Sequence, residues 1–415
     1  MYVSMQIMYR KILVVILMLM PIAILAQKKQ ISEAKSYLKK GSNLDKAESL
    51  VREVISGPGN SGELEYYVLL SDIVKKQYEA SNEKLYLKQL SDTASMFPAL
   101  RKLFLTYELL DSVDALPNKS GSVKTKYRRK NAEYLNHFRP NLFNGGIYSM
   151  QRKNYTEAYD CMNVYLDTYT HPLFSHCSYS ATDSLRYQAA YWAVLAAHRL
   201  KNHSGVKKYE LLAQQYLPRA PHVLALLYEH YREKGDTIGA VSFLRKGFNK
   251  YSEFPFFFPR LIDYYSSQNQ LDTVKHIVDK AIAIEPGNLF YRMAQNNLQL
   301  NMGDYDACIS LGDSLIHIND HMAEAYYNVG SAYFNKALQR ERQSDALKQR
   351  RKEVNELYSK AMPYLERYRA LRRKAVMRWA PMLYSIYLNL NKGKEFEEVD
   401  RLLKSDKYSK VSKKQ

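Results

Sequence analysis

The scarcities of this chain narrow it first. Among 415 residues there are three cysteines, Cys161, Cys177 and Cys308, so at most one disulfide can form. Cys161 and Cys177 are the pair that an oxidising compartment would allow, provided their Cα atoms approach within about 7 Å. Cys308 is expected to be a buried core residue. Glycine (16) and proline (13) are also sparse, as expected of a nearly all-helical protein. No segment forms a phosphate-cradling glycine loop, a Gly-x-Ser-x-Gly elbow, a His-Glu-x-x-His pair or a Cys-x-x-Cys pair. His171, His176 and Cys177 lie close together, but their spacing matches no standard zinc site. These gaps predict no catalytic residues, no metal, no cofactor and no small-molecule substrate. A non-enzymatic protein is expected.

Acidic residues also fall short: 42 Asp and Glu face 61 Lys and Arg, a net charge of +19. The excess is concentrated. Residues 336–378 hold fourteen Lys/Arg against five Asp/Glu, and Arg350, Arg351, Lys352, Arg372, Arg373 and Lys374 stand out as candidates for contact with an anionic envelope surface. Such composition could also mark a nucleic-acid binder, but the N-terminus argues against that partner. Arg10 and Lys11 precede an apolar run, Ile12–Leu25, that ends at the small Ala26, the pattern of an export signal. The run is short for a membrane span and Pro21 interrupts it. Residues 1–26 are therefore expected to be a signal peptide, with translation starting at Met8. No cysteine follows that would take a lipid, so the expected product is soluble and exported, in the periplasm or at the outer membrane.

What is abundant is order of one period. Segments beginning at Tyr187, Pro221, Pro255, Leu289 and Ala323 share one register of 34 residues, the length of one helix–turn–helix unit of a solenoid. The twentieth position of successive units reads Val206, Ala240, Val274, Cys308, and the twenty-seventh Ala213, Gly247, Ala281, Leu315. Small residues there let two antiparallel helices approach closely. Pro218 and Pro286 stop second helices, and Gly235 and Gly303 occupy the turn between helices, where a left-handed conformation is favoured. Asn296 and Gln299 depart from the pattern without shifting the phase.

Tyr326, Val329, Gly330 and Tyr333, with "GDYDACI" at 303–309, resemble the tetratricopeptide (TPR) family. The whole chain looks like exported TPR proteins of Bacteroidales-type bacteria. The resemblance implies an all-α, right-handed α-solenoid of about ten TPR-like helical hairpins. Divergent repeats are expected over 27–138, including helices at Asn82–Met96 and Pro98–Leu116, and a regular array over 139–337. An inserted surface loop is expected at 170–183. An extended basic hairpin that projects into solvent, followed by a capping repeat, is expected over 338–404, and a basic tail over 405–415.

The resemblance further implies a concave groove lined by first helices. Carried onto this chain, its candidates are Gln188, Tyr191, His198, Arg199, Glu229, Arg232, Phe256, Asp263, Phe290, Asn297, Tyr327, Phe334 and Asn335, with Leu195, His222, Ala225, Glu233, Pro259, Ser266, Ser267, Met293, Leu300, Asn301, Glu324 and Ser331 at the same groove positions. Of the crowded Phe254, Phe256, Phe257 and Phe258, one or two should reach that surface, since one helix face cannot bury all four. The mixture of aromatics, amides and both charges suits a protein or peptide partner. It lacks the uniform row of Lys and Asn that would clamp a terminal carboxylate.

Overall fold

A computed structural model describes residues 25–57, 60, 62–86, 93–117, 121–343 and 347–405. The expected signal peptide and basic tail fall almost entirely outside these residues. Twenty α-helices and no strand occur among the described residues. They divide into two compact units, the first ending at Gly235 and the second beginning at Asp236.

Unit 1 contains α1 (25–40), α2 (Leu44–Ser56), α3 (Leu64–Tyr86), α4 (Thr93–Asp114), α5 (Arg128–Asn136), α6 (Arg139–Gln151), α7 (Tyr155–Asp167), α8 (Tyr179–Thr182), α9 (Arg186–Arg199), α10 (His203–Ala213) and α11 (Ala220–Glu233). Unit 2 contains α12 (Thr237–Lys250), α13 (Phe257–Ser267), α14 (Leu271–Ile284), α15 (Leu289–Met302), α16 (Tyr305–Ile318), α17 (Ala323–Glu341), α18 (Leu347–Leu371), α19 (Val376–Asn389) and α20 (Gly393–Lys404). In unit 2 the substantial packing of each helix is against its neighbours in sequence, plus the next-but-one helix for α15, α17 and α19. That near-neighbour packing makes an all-α solenoid, in which each hairpin supplies a face for the next.

The expected small positions form the seam of each hairpin. Val206, Ala240, Val274 and Cys308 are buried, as are Ala213, Gly247, Ala281 and Leu315. Gly247 shows why size matters: a Cβ there would lie 2.2 Å from the ring of Phe257. All three cysteines are free.

The turn between paired helices repeats more faithfully than its sequence. Lys201, Gly235, Asn269 and Gly303, each 34 residues apart, all adopt positive φ (56°, 83°, 54° and 79°). The next residue often caps the following helix: Asn202 accepts from the Gly205 amide at 2.9 Å and Asp236 from the Gly239 amide at 2.8 Å. Lys201 bears a Cβ in the left-handed region, which costs about 1 kcal/mol relative to glycine. Lys201→Gly is expected to stabilise unit 1 by about 0.5–1 kcal/mol, read as a rise in its urea midpoint.

Three stretches differ from expectation. The two helices expected on either side of Phe97 are not separate there; α4 runs through Pro98. At the sixth position of the helix, this proline forgoes one amide bond to the preceding turn. The segment 170–183 is not a plain surface loop. It folds into a 3-10 turn (Pro172–Phe174) and α8, burying Leu173, Phe174 and Tyr179, with Phe174 stacked 6.1 Å from Phe104 of α4. The basic hairpin has 19 residues in α17 and 25 in α18 against 14 in each of α15 and α16. It is not merely solvated, however. Val354, Tyr358, Ala361, Leu365 and Tyr368 form a buried stripe at three- and four-residue spacing, and Tyr358 donates to Glu341 at 3.1 Å.

Candidate functional site

First helices of adjacent hairpins leave a gap wherever their facing side chains are too short to close it. In unit 2, α13 and α15 enclose a cavity of about 250 Å³. Its walls are Phe258, Pro259, Ile262, Val274, Phe290, Met293, Ala294 and Leu298, and its polar rim is Asp263, Ser266, Asn297 and Asn301. Phe258 is buried and meets Phe290 at 5.7 Å and Tyr291 at 4.7 Å between ring centres. Phe290 is 56% exposed, so the pocket has an apolar lip that water wets. Asp263, Phe290 and Asn297 of the sequence candidates converge here, together with Pro259, Ser266, Met293 and Asn301.

The residue that broke the repeat pattern stands behind this pocket. Asn296 is fully buried and donates to the Cys308 carbonyl at 2.7 Å. Asn328, also buried, donates to Asn296 at 2.9 Å and to Asn297 at 2.6 Å. The amides thus satisfy one another across α15, α16 and α17, as buried polar groups must. Asn328 was absent from the sequence candidates because no family position marks it.

The other candidates lie apart from this pocket and are largely occupied by their own neighbours. In unit 1, Gln188 is half-buried, and Tyr191 packs on Trp192 and Tyr216 at 4.9 and 5.8 Å. Glu229 pairs with Arg232 at 2.5 Å, and Arg199 is exposed. His198 belongs to a chain of imidazoles: its Nδ1 lies 3.4 Å from Nδ1 of His230, whose Nε2 lies 3.0 Å from Nδ1 of His203. His230 is 3% exposed. Burial, reinforced by His203 and His198, pushes its pKa down to about 4. Burial likewise lowers His198.

In unit 2, Phe256 is half-buried beneath the Arg260 guanidinium at 3.7 Å, whereas Phe257 and Phe258 are buried. Tyr327 lies under Arg378 at 4.0 Å and against Tyr368 at 5.1 Å, while Arg378 forks onto Glu324 at 2.9 and 2.8 Å. Phe334 packs on Tyr358 at 5.6 Å, and Asn335 is half-buried beside it in sequence. Of the basic candidates, Arg350 is half-buried and donates to the Gln343 carbonyl. Arg351, Lys352, Arg372, Arg373 and Lys374 are exposed and make no ion pair among the described residues.

Among the described residues, no group of three or more His, Cys, Asp or Glu side chains is arranged to hold a metal ion. No described helix is long and apolar enough to cross a membrane. In unit 1 a polar cluster centres on Arg139, which lies outside the groove and anionic-surface candidates. It donates to Asp183 and Thr168, both at 2.7 Å, and lies over Tyr165 and Tyr179 at 3.9 and 4.0 Å.

No known family's sequence profile matches the chain, and no characterised protein does. Similar solved structures include the TPR domain of P58(IPK), at 10% identity over 88% of this chain and 98% of that one, with a TM-score of 0.27. Yeast Tom70 matches at 12% identity over 93% of both chains, TM-score 0.27. Human IFIT1, as a dimer with m7Gppp-AAAA, matches at 14% identity over 86% of this chain and 72% of its own, TM-score 0.28. Scores this low add nothing to the hairpin packing described above. The fold rests on that packing.

Proposed function

We propose that this chain is a non-enzymatic scaffold that binds a protein partner along the first-helix faces of its repeats. The observation that carries this reading is the α13–α15 pocket, an apolar recess with a polar rim on the helix face that TPR-like hairpins leave uncovered. Stacked helices hold the recess open before a partner arrives, which lowers the ordering cost of binding. The N-terminal pattern of Arg10, Lys11 and Ile12–Leu25 adds export to the cell envelope.

The test is crosslinked capture from envelope fractions with the wild type and with Asp263→Ala, Phe290→Ala and Asn297→Ala combined. A partner captured by the wild type and lost with the folded triple variant is expected. Capture that survives the triple variant, or no partner for either form, refutes the reading.

A second reading rests on Arg372, Arg373 and Lys374, which sit exposed in the turn between α18 and α19. It makes the protein a peripheral one that docks on anionic lipid or glycan. Association through such exposed charges is expected to be lost near about 0.5 M salt, where screening is nearly complete. Charge reversal at Arg372 and Arg373 should remove it as well. Sedimentation with envelope membranes that ignores both changes eliminates this reading.

A further inference from the structure

The amide relay behind the α13–α15 pocket determines what its rim can offer. A backbone carbonyl can only accept, so the Asn296 atom 2.7 Å from the Cys308 oxygen is its NH2 group. Asn296 therefore turns its oxygen to Asn328, which donates to it at 2.9 Å. The second hydrogen of the same Asn328 nitrogen goes to the Asn297 oxygen at 2.6 Å. One carbonyl thus fixes the orientation of three amides. Asn297 is left with its oxygen occupied and its NH2 free on the exposed side, at the pocket rim.

The opposite wall carries the complementary chemistry. Asp263, exposed on α13, is the only ionisable residue lining the pocket among the described residues. It disfavours a terminal carboxylate and favours a cation or a peptide N–H. The volume, about 250 Å³, lies below the roughly 300–1,000 Å³ of pockets that enclose a whole small molecule. It suits one large side chain.

We propose that this pocket takes a bulky apolar side chain from an internal segment of a protein. That segment's main-chain carbonyl accepts from Asn297, and a neighbouring lysine or arginine pairs with Asp263. The inference rests on the scaffold reading above and specifies its ligand. It makes the site selective for sequence as well as for extended shape, because the donor and the carboxylate are held on opposite walls before binding.

The test uses dye-labelled nonapeptides with acylated N-termini and amidated C-termini, Gly/Ser flanks, and a central Phe-Lys, Phe-Gln, Phe-Glu or Ala-Lys. Binding is read by fluorescence anisotropy. Phe-Lys is expected to bind tightest, Ala-Lys about 30-fold more weakly, and Phe-Glu about 10-fold more weakly. Asp263→Asn should bring Phe-Lys and Phe-Glu within about 2-fold of each other. Asn297→Asp still accepts from Asn328, so the relay holds, but its donor is gone; the uncharged Phe-Gln peptide should weaken about 10-fold.

Equal binding of Phe-Lys and Phe-Glu by the wild type, or a difference that survives Asp263→Asn, overturns the proposal while peptide binding stands. If no peptide binds below about 1 mM, or if binding ignores both Phe290→Ala and the pocket-filling Ala294→Trp, the proposal falls and the pocket no longer supports the scaffold reading.

Discussion

Arg139→Met is expected to destabilise unit 1 by about 3–5 kcal/mol, the cost of leaving one member of a buried ion pair alone. The arginine is 5% exposed and sits among three tyrosines, with Asp183 as its counter-charge at 2.7 Å. Burial alone would raise the Asp183 carboxyl. Hydrogen bonds from Tyr165, Tyr169 and Arg139, and from the Leu185 amide, overcome that and hold it below the ordinary carboxylate range. Without the guanidinium, the carboxylate stays half-desolvated with only neutral donors. The double variant Arg139→Met, Asp183→Asn should therefore cost less than Arg139→Met alone, because no unpaired charge remains. Urea unfolding followed by circular dichroism measures both. A double variant that is less stable than the single by the full cost of a second independent substitution would refute this account.

Acidifying from pH 7 to pH 4 is expected to remove about 3 kcal/mol of unit 1 stability through His230 alone. The three imidazoles need one proton in each of their two bridges, which three neutral rings supply. Placing an extra proton on His230 itself requires the bridge in which it accepts to reverse; a second extra proton on the chain must break a bridge, because two bridges and two outer nitrogens hold only four protons. The neighbours are of both signs: Glu233 and Glu229 favour protonation of the chain, while Lys234 and Arg199 oppose it. In the folded state His230 titrates near 4, below the roughly 6.5 of an unfolded histidine. The unfolded chain therefore binds the extra proton first, and stability is lost as pH falls through that window. His230→Gln should flatten the dependence of the urea midpoint between pH 6.5 and 4. Parallel profiles for wild type and variant would dispose of this mechanism.

The solenoid was legible because its determinants are local and periodic. Val206, Ala240, Val274 and Cys308 recur at one interval and are buried at one seam. The turn was legible at Gly235 and Gly303 from residue type. At Asn269 the residue type is a weaker version of the same signal, and at Lys201 only the interval reveals it. Segment 170–183 read as a loop because it interrupts the period, yet its Phe174 stacks on Phe104 of α4 and its Tyr179 donates to Asn136 of α5, both far away in sequence.

The site was legible in part for the same reason. Asp263, Phe290 and Asn297 fall at groove positions and do meet at one pocket. Tyr327 and Phe334 occupy equivalent positions, but the lengthened α18 brings Tyr368 and Tyr358 against them. Asn296 looked like noise because its partner Asn328 lies 32 residues on, out of step with a 34-residue period. A pattern search compares equivalent positions, and this contact joins inequivalent ones.

That same contact limits how this protein can change over generations. Solenoids commonly grow and shrink by duplicating or deleting whole repeats, since one hairpin presents the same face as the next. Here the hairpins of α15–α16 and α17–α18 are joined by an amide chain: a copied α15 would bring an Asn296 with no Asn328, and a deleted α17 would leave the buried Asn296 oxygen without its donor. Duplicating or losing either repeat alone therefore costs a buried amide its partner and disturbs the pocket that leans on it.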